Sequence, residues 1–281
     1  VPVFGILGYE FFRHNAVKID YNRSEMTFYP PENSGWRAPF FRRGVLRIQE
    51  GKAYLEVKVK QQGGQKLRGK VLLDTGANHG LLLNRETATT IKLPDQRIET
   101  QLGQSLGGVL YGFIGRVERL SIRGLPFTEV LTSYPEVTPF SALLVESGRI
   151  GSLGAEVLGR TTLVLDYPKN QYYLKRNASF YQPFEFDMSG LVVKKLLTQE
   201  KRLVIGDVRE GSPAQQAGVL PFDEIISINS VPILYWEMDQ LVKLLRSEEG
   251  REIQLELRRY SQVGSRTFQD FSVQFLLKKQ I

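Results

Sequence analysis

The sequence predicts a mainly β chain in two parts, an all-β part and a smaller C-terminal part that mixes strands with helices. Three observations predict it. Through residue 178, short apolar runs such as 71–73, 81–83 and 163–165 are bounded by Gly, Pro and Asx turns. From Phe184 the texture changes, and capped helical patterns appear between the strands. A length of 281 residues leaves room for about two hydrophobic cores.

Composition removes several kinds of chemistry. The chain has no cysteine, which excludes disulfides, thiol nucleophiles and thiolate metal sites together. Its two histidines, His14 and His79, are far apart, so each reads as a surface or packing residue. No metal and no cofactor is implied. The net charge of +7 comes from 37 basic and 30 acidic residues that are scattered along the chain. The densest patch, Arg37 to Arg43, holds only three arginines, so a solvated surface is favoured and no nucleic-acid partner is expected. No transmembrane run or signal peptide is visible. The opening on Val1 reads as the start of a processed fragment.

Residues 1–29 and a later segment resemble each other. Gly5, Gly8, Glu10, Asp20 and Tyr21 recur as Gly151, Gly154, Glu156, Asp166 and Tyr167, all at one offset of 146 residues (151 − 5). Identity at a fixed offset marks an internal repeat. Residues 30–44 read as a linker, broken by Pro30, Pro31, Gly35 and Pro39, with Trp36, Phe40 and Phe41 expected to dock on a surface.

Residues 45–178 read as one all-β unit. The alternation from Ala53 to Val59 predicts a strand, and Gln62-Gly63-Gly64-Gln65 a hairpin turn into the next. Val71-Leu72-Leu73 reads as a buried strand that stops at Asp74-Thr75-Gly76-Ala77. Leu81 to Leu83 is a further buried strand, followed by one or two helical turns between Arg85 and Ile91. The interval from Gly103 to Gly115 carries five glycines and Tyr111, which weakens a strand unless movement or close approach is needed. Strands at 116–122, 127–132 and 142–145, a turn and short helix at 151–160 and a hairpin at 163–175 complete the unit.

Asp74-Thr75-Gly76-Ala77 resembles the active-site loop of the aspartic proteases in its retropepsin-like form, although an Asp-Gly turn closing a strand is an equally local explanation. The element order over about 130 residues resembles the same family, whose fold is a closed β-barrel. The resemblance implies a dyad of two carboxylates sharing one proton. Asp74 would be one half, Thr75 would brace the loops, and Gly76 would leave room for water and a polypeptide substrate. Gly107, Gly108 and Tyr111 would belong to a flap over the substrate. Both repeat copies resemble the family's closing part, a hydrophobic-hydrophobic-Gly motif before a short helix and then a hairpin. Ser152 departs from that motif and is expected to loosen the packing. The first copy has no Asp-Thr-Gly before it, so the second acid is expected from an upstream repeat or a second subunit.

Residues 184–281 carry Gly211-Ser212-Pro213-Ala214, Ala217-Gly218-Val219, Asp223 to Asn229, and an amphipathic helix from Trp236 to Ser247. Strands are expected at 191–197 and 203–208. This series resembles a PDZ domain, a small α+β barrel with two helices. Phe222 departs from the glycine common there, and Met188-Ser189-Gly190-Leu191 replaces the more familiar loop. The resemblance implies that an extended peptide adds beside Leu191 to Lys195. Ser189, Gly190, Leu191 and Val192 would receive it, their amides forming a nest for the carboxylate of a protein C-terminal tail, with Met238 on the facing helix. Trp236, Glu237 and Met238 are equally explained as helix-start and core residues.

The reading is an aspartic endopeptidase with a PDZ domain, expected in the cell envelope, periplasmic or secreted. The rival is a non-catalytic peptide-binding protein on a protease-like scaffold.

Overall fold

The structure, a computed structural model, describes residues 5, 7–30, 32, 40–105, 108–137, 145–196, 198, 200–262 and 267–281. Trp36, most of the linker, Gly107 and residues 142–144 lie outside these. The chain is mainly β and divides into two compact units, Val1–Phe184 and Glu185–Ile281.

The first unit begins with helix α1 (Tyr9–Phe12) and strands β1 (Ala16–Asp20), β2 (Glu25–Tyr29) and β3 (Arg42–Val45). It continues through β4 (Arg47–Gln49), β5 (Lys52–Gln61), β6 (Lys66–Leu73), β7 (Leu81–Leu83), β8 (Arg97–Ser105), β9 (Gly108–Ile122) and β10 (Leu125–Pro135). It ends with β11 (Gly151–Leu153), α2 (Ala155–Leu158), β12 (Thr161–Asp166) and β13 (Gln171–Arg176). Eight strands run in the order β4-β5-β6-β11-β7-β10-β9-β8, and β5 also pairs with β9. That extra pairing closes β5, β6, β11, β7, β10 and β9 into a barrel in which each strand has a neighbour on both sides over part of its length. The core follows from alternation: along β5, Tyr54, Leu55, Val57 and Val59 are buried. Each such large side chain contributes roughly 1.5–3 kcal/mol relative to exposure.

Three expectations for elements of the first unit are corrected. Gly151–Leu153 is a strand and not a turn, because it lies between β6 and β7 with Ser152 opposite both Leu72 and Leu82. Glycine is required there, since a Cβ on Gly151 would lie 1.7 Å from the Leu82 carbonyl oxygen. Residues 42–44, read as the end of the linker, belong to an edge strand (Arg42–Val45) on β13, where a Cβ on Gly44 would lie 2.2 Å from the Tyr172 ring. The helical turns expected up to Ile91 shrink to a single 3-10 turn at Arg85–Thr87, ending where Ala88 is extended.

The second sheet, β2-β1-β12-β13-β3, contains the repeat. The repeat is structural as well as sequential: at the 146-residue offset α1 coincides with α2, and the hairpin β1–β2 with β12–β13. The N-caps match closely, Gly8 at φ −100° and ψ −169°, Gly154 at φ −103° and ψ −177°. The two hairpins lie side by side, with β1 antiparallel to β12 from Ala16↔Asp166 to Asp20↔Thr162. Burial pushes the phenols of Tyr21, Tyr167 and Tyr172 in this unit up to about 12.

The second unit contains β14 (Leu191–Lys195), β15 (Leu203–Val208), α3 (Pro213–Gln216), β16 (Glu224–Ile228), β17 (Val231–Pro232), α4 (Met238–Leu245), β18 (Glu252–Tyr260) and β19 (Phe268–Leu276). Its sheet order is β14-β15-β16-β18-β19, with β17 on β16, so β14 is an edge. Leu203, Ile205, Ile225, Leu241, Leu245, Leu255 and Leu257 form the core. Ser212 caps α3 by accepting from the Gln215 amide at 3.3 Å, and Gly218 ends it at φ +85°. Helix α4 is shorter than the expected 236–247, because Glu237 caps it in a reciprocal box with Gln240 and Arg246 leaves helical geometry. Strand β14 stops at Lys195, short of the expected 197.

Candidate active site and peptide groove

Strand β6 delivers Asp74 to the surface. The Asp74 amide donates to the Leu153 carbonyl at 2.9 Å, and its Oδ1 accepts from the Gly76 amide at 3.1 Å. The loop beyond it is laced to the start of α2. Gly154 donates to the Gly80 carbonyl at 3.0 Å, and Ala155 to the Ala77 carbonyl at 2.7 Å. Contact is so close that a Cβ on Gly154 would lie 2.1 Å from the His79 oxygen and 2.8 Å from that of Ala77. This explains why the second copy of the hydrophobic-Gly motif keeps its glycine. Thr75 and Gly76 are exposed, and Asp74 is partly so.

His79 and Ser152 join the Asp74 loop to β11. His79 contacts Ser152 through Nε2 and Oγ at 2.9 Å, one side donating according to the tautomer. Ser152 is buried, so the expected loosening is replaced by a hydrogen bond between the loop and β11. Burial holds the His79 imidazole below its ordinary value of 6.5, against the opposing pull of the Asp74 charge. Arg149 is likewise held below its ordinary value by burial, with Tyr54 and Asp74 pulling the other way. The signals in the sequence were the place of His79 five residues after Asp74 and the polar departure at Ser152. Among the described residues, no group of three or more His, Asp or Glu side chains is arranged to hold a metal.

The hairpin β8–β9 occupies the glycine-rich interval. Gly108 opens β9, and Tyr111 is exposed on it. Gly112 passes so close to β10 that a Cβ would lie 2.3 Å from the Tyr134 oxygen.

In the second unit, Ser189 is buried, and Leu191 and Val192 begin the edge strand β14. Trp236 and Met238 pack against the core, while Glu237 is the exposed cap of α4. Gly190 has φ +87°, and a Cβ there would lie 2.1 Å from that of Ser212, so only glycine fits. The amides expected to face a terminal carboxylate meet a side chain of this chain. Asp187 Oδ1 accepts from Ser189 N at 3.2 Å and Ser189 Oγ at 2.6 Å. Its Oδ2 accepts from Gly190 N at 2.6 Å and Arg209 Nη2 at 2.5 Å.

Comparison with known proteins agrees with this division. Residues 55–157 match the aspartyl protease family and residues 204–259 the PDZ domain family. A probable CtpA-like serine protease of Staphylococcus haemolyticus (strain JCSC1435) is 27% identical over 113 residues, which are 40% of this chain and 23% of that protein. The carboxy-terminal processing protease CtpA of Bacillus subtilis (strain 168) is 29% identical over 96 residues, 34% of this chain and 20% of that protein. The alignments therefore span less than a quarter of the length of these relatives. A retropepsin-like aspartic protease from Rickettsia conorii superposes with a TM-score of 0.33 at 18% identity, covering 48% of this chain and 92% of its own. The chain thus carries an aspartyl protease domain followed by a PDZ domain.

Proposed function

We propose that the first unit is half of an aspartic endopeptidase site and that the second binds polypeptide. In this reading Asp74 shares a proton with a second carboxylate. One acid takes a proton from water as it attacks the peptide carbonyl, and the other protonates the carbonyl oxygen. The C–N bond then breaks as the amine takes a proton. Thr75 and Gly76 shape the loop, and Gly108 and Tyr111 belong to the covering hairpin.

One observation carries the proposal. Leu153 and Val157, each 0% exposed, are buried in the second copy of the repeat, whereas their equivalents Leu7 and Phe11 are 63% and 52% exposed. Gly8 likewise has open space where Gly154 presses on the loop. In this reading the first copy is the seat for a second Asp-bearing loop, supplied by an upstream repeat or a second subunit. The proposed setting is the cell envelope, a reading that rests on the pairing of the two domains and is tested by fractionation.

The test is digestion of an unfolded protein between pH 3 and 7, using this chain alone, the chain extended with whatever precedes Val1, and both with Asp74→Asn. Cleavage that depends on Asp74 is expected in a form that supplies the second acid. Absence of Asp74-dependent cleavage in every form would leave a peptide-binding protein on a protease scaffold.

A further inference from the structure

The loop before β14 contains three successive amides, those of Ser189, Gly190 and Leu191, at the end of an edge strand. Such a cluster is an anion nest. All three are already used, two by the Asp187 carboxylate and the third, Leu191 N, by Ser189 Oγ at 3.1 Å. The loop carbonyls are occupied as well. Ser189 O accepts from Ala214 N at 3.1 Å, Gly190 O from Arg209 N at 2.8 Å, and Met188 O from Lys278 N at 3.1 Å. Asp187 itself is nearly buried, its side chain 16% exposed, and is paired with Arg209, 10% exposed. A resident carboxylate with four donors occupies the position a ligand's terminal carboxylate would need.

A second carboxylate arriving there would find the amides of Ser189, Gly190 and Leu191 taken and would have to displace the Asp187 carboxylate from them and from Arg209, which is unfavourable at a partly buried site. Among the described residues β14 pairs with β15 alone, Val242 is exposed on α4, and Lys194 and Lys195 are exposed at the far end of β14. We infer that this groove receives an internal segment of a polypeptide, without a free C-terminus, whose acidic side chains face Lys194 and Lys195. Asp187 is the residue that sets this preference. The inference rests on the reading of the second unit as a polypeptide binder.

The test presents one random decapeptide library to the whole 281-residue chain in two formats, flanked on both sides by Gly-Ser spacers or ending in a free carboxylate. Binders are expected from the internal format, enriched in Asp and Glu, with no advantage to the free-carboxylate format. Asp187→Ala, which vacates the nest, is expected to bring free-carboxylate binders at least about tenfold tighter than their carboxamides. Binders only from the free-carboxylate format of the unaltered chain overturn the inference and leave polypeptide binding intact. No binders in either format overturn both. If Asp187→Ala does not fold, the two-format comparison on the unaltered chain decides alone.

Discussion

Lys18 and Val164 lie opposite each other at the middle of the β1–β12 pairing, and they are also one repeat apart in the chain. No other pair in that ladder meets both conditions, so a local two-fold axis relates the hairpin β1–β2 to the hairpin β12–β13. The axis places the open face of α1 and the covered face of α2 in equivalent positions.

Leu153→Ala is expected to destabilise the first unit by about 2–5 kcal/mol, as a large-to-small change in a closed core. The equivalent Leu7→Ala should change stability by less than about 0.5 kcal/mol in this chain. Denaturant unfolding of the two variants checks the contrast, and equal losses would contradict the idea that the first copy is bare.

Gly154→Ala and Gly8→Ala form a second contrast. Both lose the cap preference for glycine over alanine, but only Gly154 has backbone oxygens in the place of the new methyl. Gly154→Ala should cost on the order of 3 kcal/mol and displace the Asp74 loop. Gly8→Ala should cost under about 1 kcal/mol. Thermal unfolding supplies the readout.

His79 is expected to make the first unit sensitive to acid. Its folded pKa lies below 6.5, so the unfolded chain takes up the proton first as pH falls. Its stability contribution is therefore full above 6.5 and declines as pH drops from there toward the folded value. His79→Gln removes the titration, so the difference in Tm between about pH 7.5 and 5.5 should shrink. An unchanged difference would assign the acid sensitivity to other groups.

Phe222→Gly should raise the stability of the second unit by about 1 kcal/mol. Phe222 has φ +73°, and the residue is 69% exposed, so the substitution relieves backbone strain and gives up little packing. A fall in Tm would mean that the ring makes contacts that outweigh the strain.

The sequence made the Asp74 loop visible because three apolar residues ending in Asp-Thr-Gly form a local pattern, and it made the repeat visible because five identities share one offset. The Ser212 cap and the helix of Leu241 and Leu245 were legible for the same reason. Gly151–Leu153 was not: three residues, one of them glycine, have no period of their own and become a strand only when β6 and β7 flank them. Nor could spacing show that Asp187 folds back onto Ser189 and Gly190, because an Asp two or three residues before a glycine reads as an ordinary turn. His79 and Ser152 are 73 residues apart, and their hydrogen bond exists only after the barrel closes.

The raised phenols of Tyr21, Tyr167 and Tyr172 give the first unit a built-in optical gauge of its integrity. These side chains keep their protons while folded and release them near the ordinary value of 10 once exposed, so their folded-state stabilisation is lost as pH rises from about 10 toward 12. Alkali should therefore weaken this sheet, and the ultraviolet absorbance of tyrosinate would include the release of these three phenols as it opens.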